Sequence, residues 1–170
     1  MPGVVGTGVV GTGVVGTGVA VAGVVVAGAG HAAGALAVAL RAGGYARPIA
    51  LVGDEPHPPY ERPPLSKGVL RGDTAFEAGF VRPGEWYAEA GVTLHLGRRV
   101  VAADPALRTI RLDDGQFMGF EALVFATGLA PRRLAVPGAD LMGIHVLRTI
   151  ADSRALAAAA GPEARVVIVG

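Results

Sequence analysis

Apolar runs rich in β-branched residues alternate along the chain with alanine-rich segments, as in a parallel sheet with crossover helices. The clearest pair is a strand predicted over about 21–27 and a helix predicted over about 31–42. A second buried strand is predicted over 48–52, a short helix over 84–90 and a strand over 92–96. The pattern therefore predicts an α/β fold with a parallel sheet and flanking helices.

The second half of the chain predicts a small β-meander at about 98–120. Asp114-Gly115 is a typical two-residue hairpin turn between two of its strands. The meander strands are predicted over 99–103, 108–112 and 116–120. A buried strand over 121–126, a helix over 149–160 and a second buried strand over 165–170 are predicted after them.

The segment 1–20 is an apolar, uncharged repeat in which Gly-Val-Val-Gly-Thr occurs three times with a period of five. Its apolar length makes a membrane-associated role an alternative. Frequent glycine disfavours a stable spanning helix, so we interpret 1–20 as a low-complexity extension and expect no membrane partner. Two matches to G-x-G-x-x-G, at 6–11 and 11–16, are rejected because neither follows a predicted strand or begins a predicted helix.

A third glycine turn, Gly28-Ala29-Gly30-His31-Ala32-Ala33, has the required context between the first strand and the first helix. Gly28 permits the tight turn, Gly30 lets the backbone approach a pyrophosphate, and Ala33 is the small residue at the third position. The N–H groups and dipole of the helix then attract the anion. Asp54 and Glu55, roughly 20 residues further along, are candidates to bind an adenosine ribose, or they form a solvated turn before a proline.

Composition narrows the functional classes. Of the 170 residues, 51% are hydrophobic but only 5% are aromatic, so aliphatic side chains must build the core. The 15 basic and 14 acidic residues nearly balance, and we expect no nucleic-acid partner. The absence of cysteine excludes disulfides, thiolate metal sites and cysteine redox centres, and it is compatible with the cytoplasmic location that we expect.

The proline-rich segment 56–67 carries Arg62 and Lys67. Its stiffness suits a loop that holds anionic groups at fixed positions, and an exposed linker is equally compatible with the pattern. We expect it to stay non-helical until Leu65, with a short helix starting near Ser66.

The segment 59–67 carries a specific resemblance to a known family. Pro-Tyr-Glu-Arg-Pro-Pro-Leu-Ser-Lys at 59–67, preceded by the glycine turn, resembles the FAD domain of the ferredoxin-reductase family. That family includes the NADH-dependent reductases of ferredoxin, rubredoxin and putidaredoxin, and the related apoptosis-inducing factor. The resemblance covers about 21–170 and implies a Rossmann-like FAD/NAD(P)-binding fold, with an FAD-binding domain over 21–164 and the first strand of a truncated NAD(P)-binding domain over 165–170.

The resemblance also implies roles for individual residues. Lys67 would lie beside the reactive edge of the isoalloxazine and favour negative charge on the reduced flavin. The strand end Ala126-Thr127-Gly128, followed by Pro131-Arg132, resembles the family motif that closes over FAD. The implied FAD-binding residues are Gly28, Ala29, Gly30, His31, Ala32, Ala33, Asp54, Glu55, Arg62, Lys67, Val100, Thr127, Gly128 and Arg132.

The implied function is that of a flavoprotein reductase. NAD(P)H would be the electron donor, and a ferredoxin- or rubredoxin-like iron–sulfur protein would be the acceptor. No metal ligand is predicted. We expect the isolated fragment to retain FAD weakly or not at all, and to be inactive. A non-catalytic flavin- or nucleotide-binding module, and a glycine-rich membrane-associated protein, are the alternatives.

Overall fold

The computed structural model describes residues 21–161 and 163–169, so the predictions for the repeat at 1–20 lie outside the described residues. Six strands form one sheet in the order β3-β2-β1-β6-β5-β4. The strands are β1 (Val21–Ala27), β2 (Ile49–Gly53), β3 (Val92–Leu96), β4 (Val100–Asp104), β5 (Thr109–Leu112) and β6 (Phe117–Phe125). The predicted α/β class is confirmed.

The centre of the sheet is parallel, because β1 pairs in parallel with both β2 and β6, and β2 pairs in parallel with β3. All five residues of β2 are buried, which explains its unbroken apolar sequence. Two core clusters cover the two faces. One packs Val24, Val26 and Leu51 against α1 (His31–Ala42), and the other packs Val25 and Val52 with residues of β5.

β6 is one continuous strand where two were predicted. Residues 117–119 pair antiparallel with β5, and residues 119–125 pair in parallel with β1. Nothing in the sequence between Phe120 and Glu121 favours a turn, so the chain continues in extended conformation. The meander is therefore part of the main sheet, which is mixed.

The remaining helices are short. They are α2 (Gly68–Arg71), α3 (Gly84–Glu89) and α4 (Ile150–Ala159), with 3₁₀ turns at Pro63–Ser66 and Phe76–Gly79. The helices predicted over 84–90 and 149–160 are confirmed. The expectation of a non-helical loop up to Leu65 was wrong, because proline is compatible with the first positions of a helical turn.

The predicted buried strand over 165–170 was also wrong for residues 165–169, which the structure describes. Residues 164–169 belong to no strand, and Val167 and Ile168 are 86% and 88% exposed. A β-branched segment cannot form a strand without a partner to accept its backbone hydrogen bonds. In the described part of the chain, no helix has the length and apolar character needed to cross a membrane.

Candidate functional site

The carboxyl ends of the central strands β2, β1 and β6 border one cavity of about 710 Å³. Residues 27–32 after β1, 52–55 at the end of β2 and 126–131 after β6 form most of its wall. Open α/β sheets bind their ligands in the crevice outside the carboxyl ends of the strands. Arg62, residues 98–100 and residues 148–149 complete the wall.

A larger depression of about 930 Å³ lies at the amino ends of β2 and β3 and is lined by Arg41, Tyr45 and Leu94 among others. The Arg41 guanidinium already donates to four backbone carbonyl groups. Because only one of its five donors remains for a ligand, the smaller cavity is the better candidate for an anion site.

The turn between β1 and α1 requires glycine at its first position and leaves space at its third. Gly28 has a φ of +119°, and a Cβ there would lie 2.1 Å from the Ala126 carbonyl oxygen. Gly30 has a φ of −86°, and a Cβ built on it meets no atom within 4 Å. Since Gly30 lines the cavity, a ligand atom can approach its backbone closely.

The amino end of α1 forms part of the cavity wall. Its N-cap residue is Gly30, which supplies no side-chain cap, and its first turn carries no acidic residue. The first N–H groups of a helix have no intrahelical acceptor, and the helix dipole favours an anion beside them. His31 and Ala32 line the cavity, whereas Ala33 is fully buried in the core under α1.

The two carboxylates after β2 have different partners. Asp54 forms an exposed ion pair with Arg99, with 3.0 Å between Oδ2 and Nη2. Glu55 accepts a hydrogen bond from Arg62 Nη2 at 2.5 Å on Oε1 and a second from the Tyr60 hydroxyl on Oε2. Both residues line the cavity. Both carboxylate oxygens of Glu55 accept hydrogen bonds, whereas Asp54 Oδ1 accepts none from the described residues.

Arg62 fastens the proline-rich loop to this cavity. Its Nη1 donates to the Tyr60 hydroxyl at 2.6 Å and to the Arg148 carbonyl oxygen at 2.8 Å. Its guanidinium carbon lies 4.6 Å from the centre of the Tyr60 ring. The glycine turn and Arg62 therefore share one cavity wall.

The wall beyond β6 contains residues that the sequence analysis did not select. Thr127 and Gly128 were predicted there, but Arg148 and Thr149 were not. Arg148 Nη2 lies 3.1 Å from the position that a Gly128 Cβ would occupy. The capping pattern that starts α4 marks Thr149 in the sequence, but only the fold brings it to β6.

Two of the predicted cations do not line the cavity. Lys67 is exposed between the 3₁₀ turn and α2, and Arg132 is exposed in the irregular segment after β6. Their proposed contacts with a flavin therefore remain predictions.

The electrostatic character of the cavity comes from four guanidinium groups. Three of them are paired with carboxylates, namely Arg62 with Glu55, Arg99 with Asp54, and Arg98 with Asp114 at 2.9 Å. The fourth is Arg148, which has no carboxylate partner for its guanidinium within residues 21–161 and 163–169. Arg148 and the amino end of α1 thus provide positive potential, which suits a pyrophosphate. The Glu61 carboxylate also lies near this helix end, with its Oε1 4.0 Å from His31 Nε2. No group of three His, Asp or Glu side chains in these ranges could hold a metal ion.

Comparison with known proteins agrees with this geometry. A family model described as pyridine nucleotide-disulphide oxidoreductase matches residues 22–170. The chain is 45% identical over 142 residues to a ferredoxin–NAD(P)(+) reductase of Sphingomonas sp, covering 84% of this chain and 34% of that protein. It is 38% identical to the rhodocoxin reductase of Rhodococcus erythropolis, covering 84% of this chain and 33% of that protein.

Solved structures of ferredoxin-type reductases share the fold. The ferredoxin reductase for the CYP199A2 system from Rhodopseudomonas palustris superposes with a TM-score of 0.75 at 38% identity, over 79% of this chain and 33% of that one. The covalent putidaredoxin reductase–putidaredoxin complex gives a TM-score of 0.71 at 32% identity, over 81% of this chain and 34% of that one. The chain spans about a third of the length of these relatives.

Proposed function

The chain belongs to the pyridine nucleotide-disulphide oxidoreductase family, and from this membership we propose that its cavity is the FAD site of a flavoprotein reductase. Residues 21–164 would form the FAD-binding domain, and residues 165–170 would begin an NAD(P)-binding domain. Because the chain spans about a third of its relatives, the activity of the whole protein is also a proposal.

The residues of the cavity fit FAD. The empty space beside Gly30 carries the proposal, because a Cβ there would occupy the position that the pyrophosphate needs. The amino end of α1 supplies N–H donors, and Arg148 supplies a positive charge that has no carboxylate partner in the described part of the chain. We therefore expect the pyrophosphate to lie against residues 28–32, with Arg148 facing it.

The adenosine end of the cavity would lie at β2 and β4. Asp54 is the preferred ribose ligand, because it keeps a carboxylate oxygen free of protein hydrogen bonds within the described residues. Glu55 would instead orient Arg62. The backbone of Val100 would lie beside the adenine, and Thr127 and Gly128 would flank the flavin half. For Lys67 and Arg132, contact with the flavin rests on the family resemblance alone.

When bound, FAD would supply the chemistry of accepting a hydride and releasing electrons one at a time. The residues of this chain bind and orient it, and none needs to act as a general acid or base. The chain supplies no cysteine, so it cannot provide the redox-active pair of a disulfide reductase. A reducing compartment such as the cytoplasm is part of the proposal.

NAD(P)H as donor and a ferredoxin- or rubredoxin-like iron–sulfur protein as acceptor complete the proposal. The support is that relatives at 45% and 38% identity are a ferredoxin–NAD(P)(+) reductase and a rhodocoxin reductase. A structural neighbour was solved as a complex of a reductase with putidaredoxin.

The FAD site is tested by titrating the 170-residue chain with FAD and following flavin fluorescence. Gly30→Ala places a Cβ in the open space, where it meets no atom of the described residues within 4 Å, so we expect the FAD dissociation constant to rise at least about tenfold while the circular dichroism spectrum is unchanged. Gly161→Ala is the matched control, since a Cβ on Gly161 also meets no atom of the described residues within 4 Å but lies outside the cavity. Failure of FAD to bind the unmodified chain, or equal effects of both variants, would refute the proposal.

A non-catalytic flavin-binding module is the second candidate for the isolated chain, favoured by its short coverage of the relatives. NADH-dependent ferricyanide reduction separates the two. We expect FAD binding without turnover from the 170 residues, and robust turnover would show that this chain alone is a complete reductase.

A further inference from the structure

The hydroxyl of Tyr60 joins three separate parts of the chain. The residue is 2% exposed and packs in a hydrophobic cluster with Leu65 and Ile150. Its hydroxyl donates to Glu55 at the end of β2, and it accepts hydrogen bonds from Arg62 Nη1 at 2.6 Å and from the Ile150 N–H at 3.3 Å. One donated and two accepted bonds use the full capacity of a phenol hydroxyl.

Two of these bonds lead to the cavity wall. Arg62 also donates to the carbonyl oxygen of Arg148, so a side chain fixed by Tyr60 holds the backbone that carries Arg148. The bond to Ile150 fixes the first residue of α4, directly after Thr149. The buried hydroxyl of Ser153 adds a separate link, since it donates to the Leu65 carbonyl oxygen at 2.8 Å.

Tyr60 is well suited to this fixed role. Burial, and then the neighbouring Glu55 carboxylate, raise the pKa of Tyr60 above its ordinary value of 10.0. The hydroxyl therefore keeps its proton and continues to donate to Glu55 throughout the neutral pH range.

We infer that Tyr60 is a positioning residue of the cavity: through Arg62 and Ile150 it sets where the Arg148 guanidinium stands beside Gly128. The consequence for binding rests on the proposed FAD site. The positioning itself is a property of the chain without ligand.

The experiment compares Tyr60→Phe with Tyr87→Phe. Tyr87 is equally buried, but its hydroxyl has no hydrogen-bond partner among the described residues. We expect Tyr60→Phe to accelerate amide hydrogen exchange of Ile150 and to raise the FAD dissociation constant, each about tenfold, as for the loss of a buried hydrogen bond. Tyr87→Phe should change neither quantity.

A double-mutant cycle with Arg148→Gln tests whether Tyr60 acts through Arg148. If it does, Tyr60→Phe should change FAD affinity less than about twofold once Arg148 is replaced, because the shared contribution is already lost. The inference would be overturned if Tyr60→Phe changed the FAD dissociation constant by the same factor with and without Arg148→Gln. Unchanged amide exchange at Ile150 in Tyr60→Phe would also overturn it.

If circular dichroism shows that Tyr60→Phe does not fold, Arg62→Lys serves in the same cycle, since it keeps a positive charge beside Glu55 and removes the guanidinium that joins the Tyr60 hydroxyl to the Arg148 carbonyl oxygen. If the unmodified chain binds no FAD, the proposed function fails, and exchange at Ile150 in the unliganded chain still decides whether Tyr60 positions α4.

Discussion

At the scale of single residues, Gly28 and Gly115 share a positive φ and differ in their surroundings. An alanine at Gly115 would meet no atom within 4 Å, whereas at Gly28 its Cβ would lie 2.1 Å from the Ala126 carbonyl oxygen. We expect Gly115→Ala to lower the free energy of unfolding by about 1 kcal/mol from backbone strain alone. Gly28→Ala should lower the free energy of unfolding by about 3–4 kcal/mol, because overpacking against the Ala126 backbone is added.

Urea unfolding at neutral pH measures both variants. The difference between them isolates the collision with the backbone directly after β6, since the residue change is the same and both sites have a positive φ. Equal losses of stability would mean that the backbone at Ala126 moves aside without cost, contrary to the tight packing of the turn.

Residues whose role follows from local geometry were the ones that the sequence could predict. Gly28 and Gly30 occupy the predicted turn because a strand, two glycines and a helix specify it locally. Arg148 could not be found in this way, because its place in the wall depends on contacts 86 residues apart in the chain, such as the bond from Arg62. Arg132, which the motif suggested, lies outside the cavity.

At the scale of elements, α4 begins with a capping box that also shapes the cavity wall. The Thr149 side chain accepts a hydrogen bond from the Asp152 N–H at 3.1 Å, and Asp152 Oδ2 accepts from the N–H groups of Thr149 and Arg148. Burial by itself would raise the pKa of Asp152, but these hydrogen bonds outweigh it and the pKa lies below the ordinary 3.8. The cap therefore stabilises the protein most when Asp152 is ionised.

Replacing Thr149 tests this cap. We expect Thr149→Ala to lower the free energy of unfolding by about 1 kcal/mol at neutral pH, and Thr149→Ser to lower it by a few tenths or less. A carboxylate whose pKa is depressed in the folded state contributes above its unfolded pKa, so the deficit of the alanine variant should shrink as the pH falls below 3.8. A deficit that is the same for both variants, or independent of pH, would contradict the capping interpretation.

Helices and strands were predicted well where a change in the side-chain pattern marks the end of the element. They were predicted poorly where no such change occurs. The helix over 31–42 was confirmed because its alanine-rich pattern ends at paired glycines. The sequence predicted two strands where β6 is one. The partner of β6 changes from antiparallel β5 to parallel β1 at Gly119, while its backbone stays extended. Which neighbour a strand pairs with is a long-range property that single-strand patterns do not contain.

At the scale of the whole molecule, exposed apolar side chains are concentrated after β6. Leu129, Leu141 and Met142 are 81%, 67% and 100% exposed in the segment that leads to α4. The β-branched run at 166–169 is 59–88% exposed and belongs to no strand. The sequence predicted burial there because it reports side-chain preference, but burial also requires a partner surface, and residues 21–161 provide none to this run.

This surface leads to a prediction about the 170-residue chain in solution. Exposed β-branched segments without backbone partners pair with other chains, so we expect the apparent mass to rise above the 17.1 kDa monomer as concentration increases. Ile168→Lys places a charge in the run and should shift the chain towards the monomer in sedimentation velocity measurements. Gln116→Lys adds the same charge at an exposed position in the hairpin between β5 and β6, and it should not. A constant monomer mass, or equal effects of the two lysines, would show that residues 166–169 do not drive association.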